Sequence, residues 1–360
     1  MEWQPAGVLR TMNGVRARHL PPGAFAPVMA TGIVSQGLAA VSARRLSEAL
    51  LAVAVVLYGG LLAKLVWRVV RYPREVAADL GDPARLFGFF TFVAGSDVLA
   101  VRLAPGPARA AASALPTLAI PAAVLLLGCV ALMARRLGWG GMVRHAEGTW
   151  FLTVVGIQSA VLAVAALAPG RVRSAEAFAW VAGVLLYAAV ATVVTGRLTR
   201  FGVPPRELSP PYWITMGACA ISLLAGARLA RHGLAAPRPG APVRIVLMAL
   251  WGWATCLLPP LLAAGVWRHL VHRVPLRYEP AWWTIVFPTG MYAVSTAALG
   301  EAEGIHRLVR LGHLAVWVAL GAWSMVAAGM AHARWRAGRR RRVQASNQVK
   351  GEENPADGRS

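Results

Sequence analysis

The stretch Trp282 to Thr296, WWTIVFPTGMYAVST, decides how the chain is read. It places a bulky aromatic, Phe287, a helix breaker, Pro288, and a glycine, Gly290, inside one hydrophobic run. Proline inside a helix removes one backbone hydrogen bond and bends the segment, and a glycine two positions on lets another backbone or a solute come close. In a bilayer such a break is tolerated only where protein or a water-filled cavity satisfies the freed backbone groups. The stretch is therefore expected to face the inside of a bundle, with the Phe287 ring pointing either into packed core or into a pathway.

Outward from that stretch, similar runs recur along most of the 360 residues, which are 57% hydrophobic and 14% charged. A bilayer core of about 30 Å needs roughly 20 apolar residues per helix, so the composition describes an all-α polytopic membrane protein whose partner is the lipid bilayer. A net charge of +22 would suggest nucleic acid in a soluble protein. Here the arginines lie between apolar runs, where cytoplasmic loops collect them, and no nucleic-acid partner is expected. Cys129, Cys219 and Cys256 have no metal spacing and read as small packing residues. The eight histidines lie in loops or near helix ends, so no pair is placed mid-membrane to hold haem or a metal. No cofactor, no metal site and no enzyme motif is expected.

Ten apolar runs are centred near Ala30, Val56, Ala94, Leu125, Val155, Leu185, Ala218, Leu257, Gly290 and Trp323. Ten crossings put both termini on one side, and Lys and Arg are in excess on that side, which makes it cytoplasmic. Only the loop after the seventh run opposes this, with Arg228, Arg231, Arg238 and Arg244. Residues 1–20 read as a cytoplasmic segment leading into a retained first helix, since Pro27, Thr31, Ser35 and Gln36 interrupt what would be the apolar core of a cleavable signal. A membrane domain then spans 21–333. Residues 334–360 form a basic tail too poor in apolar residues to fold, whose arginines would sit at the anionic leaflet.

The odd-numbered runs differ in kind from the even ones. They carry Thr31 and Gly32, then Gly95, Ser96 and Asp97, then Gly156 and Gln158, then Thr215 and Gly217, and finally Pro288, Thr289 and Gly290. The even runs, such as Leu50 to Leu65, are mostly aliphatic. The alternation suggests an inner ring of small and polar helices inside an outer, greasier one. Gly32, Gly95, Gly156, Gly217 and Gly290 recur at intervals of about 60 to 70 residues, as a helical hairpin repeated five times would place them. The bland alternative is that glycine, with 36 copies, is simply frequent.

Asp97 is the one acid well inside a run, and a charge there costs about 2.5 to 3.5 kcal/mol on insertion scales. It reads as a carboxylate satisfied by neighbouring helices, as a proton-coupling site, or as a group at the mouth of a pathway. Before the seventh run, Ser209, Pro210 and Pro211 suit a helix start and Tyr212 with Trp213 an interfacial anchor. That leaves Thr215 and Gly217 on the side that could line a cavity.

Six stretches in order carry a resemblance. These are PPGAFAPVMATGIVS from Pro21, FFTFVAGSDVLAVRL from Phe89, GTWFLTVVGIQSAVL from Gly148, SPPYWITMGACAIS from Ser209, VWRH from Val266 and WWTIVFPTGMYA from Trp282. Together they are similar to the tellurite-resistance/dicarboxylate transporters, which include bacterial anion channels and the slow anion channels of plant guard cells. The resemblance implies ten helices as five hairpins around a central pore, odd helices inside and even ones outside, commonly in homotrimers with one pore per subunit. It implies small inorganic or carboxylate anions as substrates, a multi-pass protein of the cell membrane, and Phe287 as the phenylalanine that plugs the pore. Pro27, Thr31, Gly32, Gly95, Ser96, Gly156, Gln158, Thr215, Gly217, Pro288, Thr289 and Gly290 are then the candidate pore-lining or kink residues. Asp97 and Thr215 stand where close relatives often have asparagine, and Thr289 where leucine is common. An acid near an anion path opposes passive conduction, so the alternative is a proton-coupled transporter or exporter of dicarboxylate, tellurite or sulfite that uses Asp97.

Overall fold

The computed structural model describes residues 20–202, 209–233 and 240–352, with side chains through Arg339, His232 and Gly233 aside. Ten helices of 14 residues or more account for most of it: α1 Ala26–Ala40, α2 Arg44–Arg71, α3 Phe90–Leu103, α4 Arg109–His145, α5 Leu152–Leu167, α6 Arg173–Phe201, α7 Ile214–Gly233, α8 Ala241–Val266, α9 Trp283–Glu303 and α10 His306–Glu352. Among the described residues, nine helical spans are long and apolar enough to cross a membrane. The exception is α9, whose Thr284, Thr289, Ser295, Thr296, Glu301 and Glu303 dilute its apolar side chains.

Burial separates the two sets. In the spans that include α1, α3, α5 and α7, 67, 72, 72 and 72% of the most apolar window is buried, against 17, 22, 28, 17 and 11% in the spans of α2, α4, α6, α8 and α10. Most residues of α9 are buried as well. Val56, Leu125, Leu185, Ile245 and Val318 show that every even helix presents large aliphatic side chains outward. A soluble protein does not expose an apolar girdle of this extent, and hydrocarbon is the solvent that suits it. The chain is thus a polytopic helical membrane protein.

The inner helices close on themselves. α1 packs on α3, α3 on α5, α5 on α7, α7 on α9, and α9 returns to α1. Each even helix packs on the odd helix before it, so the chain forms five hairpins around one axis. A 3-10 turn precedes each inner helix: Pro22–Phe25, Leu86–Phe89, Gly148–Phe151, Pro210–Trp213 and Pro280–Trp282. Successive turns touch each other around one end of the ring, here called the near end. Two of these contacts are backbone against backbone. A Cβ at Gly88 would lie 2.9 Å from the Gly23 nitrogen, and one at Gly148 would lie 2.5 Å from the Pro211 carbonyl.

The glycines at the recurring interval do related work deeper in the ring. A Cβ at Gly32 would meet Val98 at 2.7 Å, at Gly156 Phe90 at 2.8 Å, at Gly217 Pro288 at 2.8 Å and at Gly290 Ile33 at 2.8 Å. Each contact joins two inner helices, so these positions are small because the ring is tight. Gly95 is looser, with Phe25 at 3.6 Å.

Three features depart from the sequence reading. α9 runs unbroken through Pro288, and the Thr289 hydroxyl donates to the Ile285 and Val286 carbonyls at 2.8 and 2.9 Å, which supports the backbone beside the missing donor. Pro27 lies in the first turn of α1, where proline loses no bond. α10 continues through the basic segment to Glu352, whose Ala, Arg, Gln and Lys are good helix formers. Of the 1–20 segment, residues 1–19 lie outside the described residues, as does Arg238.

Candidate functional site

At the ring axis all five inner helices converge on a small cavity. It is lined by Ile33 and Gln36 of α1, Asp97, Val98 and Val101 of α3, Ser159 and Leu162 of α5, Leu224 of α7 and Met291 of α9. Its volume is about 10 Å³, at most room for one water. The axis is closed at this level, and its walls are aliphatic except for three polar side chains.

Those three form the chemistry of the site. Asp97 is fully buried, and its Oδ2 accepts a 2.8 Å hydrogen bond from the Ser159 hydroxyl. Its Oδ1 has no hydrogen-bond partner, and neither does the Gln36 Nε2 that lines the same cavity. A buried acceptor and a buried donor therefore face one small space unsatisfied, where each is costly unless something passes between them. Arg102, five residues along α3, does not answer Asp97. Its Nη2 donates to Ser47 at 2.8 Å and its Nε to Ser35 at 3.2 Å, where two reciprocal 2.7 Å bonds already join α1 to α2.

Phe287 is 2% exposed and stands one turn before Met291 on α9. Residues i and i+4 share a helix face, so Phe287 stands on the same side of α9 as Met291, one turn nearer the 3-10 turn Pro280–Trp282. Trp283, a further turn back, seats the start of α9 through a 3.1 Å bond from its Nε1 to the Tyr278 hydroxyl. Burial raises the pKa of that phenol.

The hydroxyl and amide groups expected along the pore point elsewhere. Thr31 donates to the Pro27 carbonyl at 2.7 Å and accepts from Trp323 of α10 at 3.0 Å. Ser96 bonds Tyr58 of α2 at 2.9 Å, and Gln158 donates to the Trp180 carbonyl of α6 at 3.1 Å. Thr215 faces a lateral cleft between α6 and α8. Apart from Thr215, these groups are radial ties from inner to outer helices, because a polar side chain in hydrocarbon goes wherever a partner is. Sequence reasoning left out Gln36 and Ser159 as site residues; each is about one turn from a ring glycine, Gly32 or Gly156, and only the helix phase distinguishes them from Gln158. Among the described residues, no group of His, Cys, Asp and Glu could hold a metal ion.

At the far end of the ring, Arg231 pairs with Glu301, and Arg244 with the buried Glu303 at 3.1 Å. Both pairs fasten the end of α9 to its neighbours.

Residues 19–331 match the SLAC1 family of voltage-dependent anion channels. The chain belongs to that family. An uncharacterized membrane protein of Mycobacterium tuberculosis is 42% identical over 155 residues, which cover 41% of this chain and 76% of that protein. Two uncharacterized transporters of Methanocaldococcus jannaschii are 26 and 24% identical over 146 and 148 residues, 41% of this chain and 42% of each relative. The SLAC1 family is one of channels and transporters, and its activity is anion transport across a membrane. The six stretches that resembled the tellurite-resistance/dicarboxylate transporters all lie within the matched residues.

Proposed function

We propose that small anions, monovalent ions or C4-dicarboxylates, cross along the axis of the inner ring, with α9 as the tenth spanning helix and Phe287 as the obstruction. The observation that carries this reading is the closed ring whose five members all contribute to one axial cavity. A channel for ions needs a polar-enough route bounded by a hydrophobic constriction that resists wetting, and Phe287 beside Met291 has the position and the bulk for one. Phe287→Ala should raise anion flux in reconstituted vesicles. Unchanged flux in a variant that folds and melts like the parent would count against the gate.

A second reading is favoured by the unpartnered Asp97 Oδ1. An ionised carboxylate on the axis repels an anion, whereas a protonated one can donate to it together with Gln36 and Ser159. On this reading each anion, whether dicarboxylate, tellurite or sulfite, travels with a proton held at Asp97 Oδ1. Arg102 and Tyr58 are the other titratable groups near Asp97; Arg102 is tied to Ser35 and Ser47, and Tyr58 bonds Ser96. Uptake should then follow an imposed pH gradient, and Asp97→Asn should keep flux while losing the gradient dependence. Flux equally indifferent to pH in both proteins points back to the channel.

The protein is placed by this reading in the cell membrane with both termini cytoplasmic, so that the near end of the ring faces the cytoplasm, and in a homotrimer with one axis per subunit. The mass of the detergent-solubilised particle checks the stoichiometry.

A further inference from the structure

Away from the axis, a cavity of about 560 Å³ lies between α6 and α8 at the near-end half of the molecule. Both helices pack on α7, one on each side of it. One wall is Ala191, Val194 and Leu198 of α6, the other Leu257, Leu261 and Ala264 of α8. These are outer helices, so the slot belongs to the hydrocarbon layer.

Its chemistry changes along its length. The deep part is aliphatic. Towards the helix ends come Trp213 and Trp282, aromatic side chains of the kind that gather at the membrane interface. At the rim are Arg268 and His269, on a π-helical turn, Trp267–Val271, that extends α8. The His269 ring stacks on Trp282 at 5.8 Å, and its Nδ1–H donates to the Val274 carbonyl at 2.8 Å, which fixes its orientation. An apolar slot with an aromatic collar and a cationic rim at headgroup depth matches one kind of molecule in its charge and its polarity gradient.

We propose that this cleft binds an anionic phospholipid, with an acyl chain between α6 and α8 and the phosphate at Arg268, beside His269. Basic pockets between membrane helices on the cytoplasmic side bind such headgroups. The lipid would also touch α9, since Trp282 and Ile285 line the slot and Ile285 is two residues before Phe287. Lipid composition then reaches the helix that carries the obstruction without any contact at the axis.

The test is native mass spectrometry of the full-length protein, delipidated and titrated with phosphatidylglycerol or phosphatidylcholine. The parent should retain phosphatidylglycerol preferentially. Arg268→Gln should reduce that preference roughly five-fold, the loss set by about 1 kcal/mol for one cation. Ala264→Phe, which fills the slot and leaves both rim residues in place, should displace either lipid. Equal retention of the two lipids by the parent, or retention indifferent to both substitutions, would overturn the site. So would loss of the oligomer in Ala264→Phe without loss of lipid, because a second copy of the chain would then be the occupant. The readout is binding, so it stands or falls independently of whether Phe287 gates the axis.

Discussion

Arg68 is 3% exposed near the C-terminal end of α2, a position arginine occupies only with partners. The short helix Pro73–Gly81 brings Asp79 to within 2.6 Å of it, Arg85 reaches the same carboxylate at 2.7 Å, and the Leu20 carbonyl accepts a further bond from Arg68 at 3.0 Å. Removing one member of a buried pair leaves the other charge uncompensated, at a cost on the order of 3 kcal/mol. Asp79→Asn should therefore lower the melting temperature of the solubilised protein, whereas Glu48→Gln, in an exposed pair with Arg44, should leave it unchanged. At this scale the sequence was only partly legible. It marked Asp97 as needing a partner but could not supply Ser159, 62 residues away. It offered Thr31, Ser96 and Gln158 as pore-lining residues, whereas they tie inner to outer helices, since a polar group at mid-membrane is equally well served by the axis or by an outer helix. Phe287 and Met291, one turn apart, were in plain view within a single stretch.

The recurring element is a 3-10 turn followed by an inner helix and an outer one. Its signature is legible once known: PGAF, LFGF, GTWF, PPYW and PAW each put a small residue or proline ahead of an aromatic. The glycine interval pointed to the same repeat from inside the helices. The two signals have one cause, which is that neighbouring units touch closely both at their starts and at mid-depth. Gly148 is the tightest of the start contacts, with the Pro211 carbonyl and the Tyr212 nitrogen 2.5 and 2.6 Å from where a Cβ would stand. Gly148→Ala forces two backbones apart and should destabilise the protein by about 1–3 kcal/mol. Gly59→Ala, on the outer face of α2 with nothing within 4 Å, should be neutral or mildly stabilising in the same melting experiment. At Pro288 the helix carries on, and a hydroxyl at the next position supports the local backbone.

At the scale of the molecule, the one loop that opposed the charge rule has an explanation. Arg231 and Arg244 are paired with Glu301 and Glu303 across the far end of the ring, so they serve as structural counterions there. Such pairs weaken the meaning of a charge count, because the rule concerns arginines left to the solvent and the lipid. The alternation of polar and greasy runs read the inner and outer layers correctly, since it follows from which helices meet hydrocarbon. The order of helices around the axis was beyond any single run and came from the contacts between them.

That order has a mechanical consequence. A machine that works by tilting one half against the other requires a cleavage plane, and five staves that each grip two neighbours provide none. On the proposed axial route an anion passes by the swing of side chains or by the slight dilation of all five together, as an iris opens.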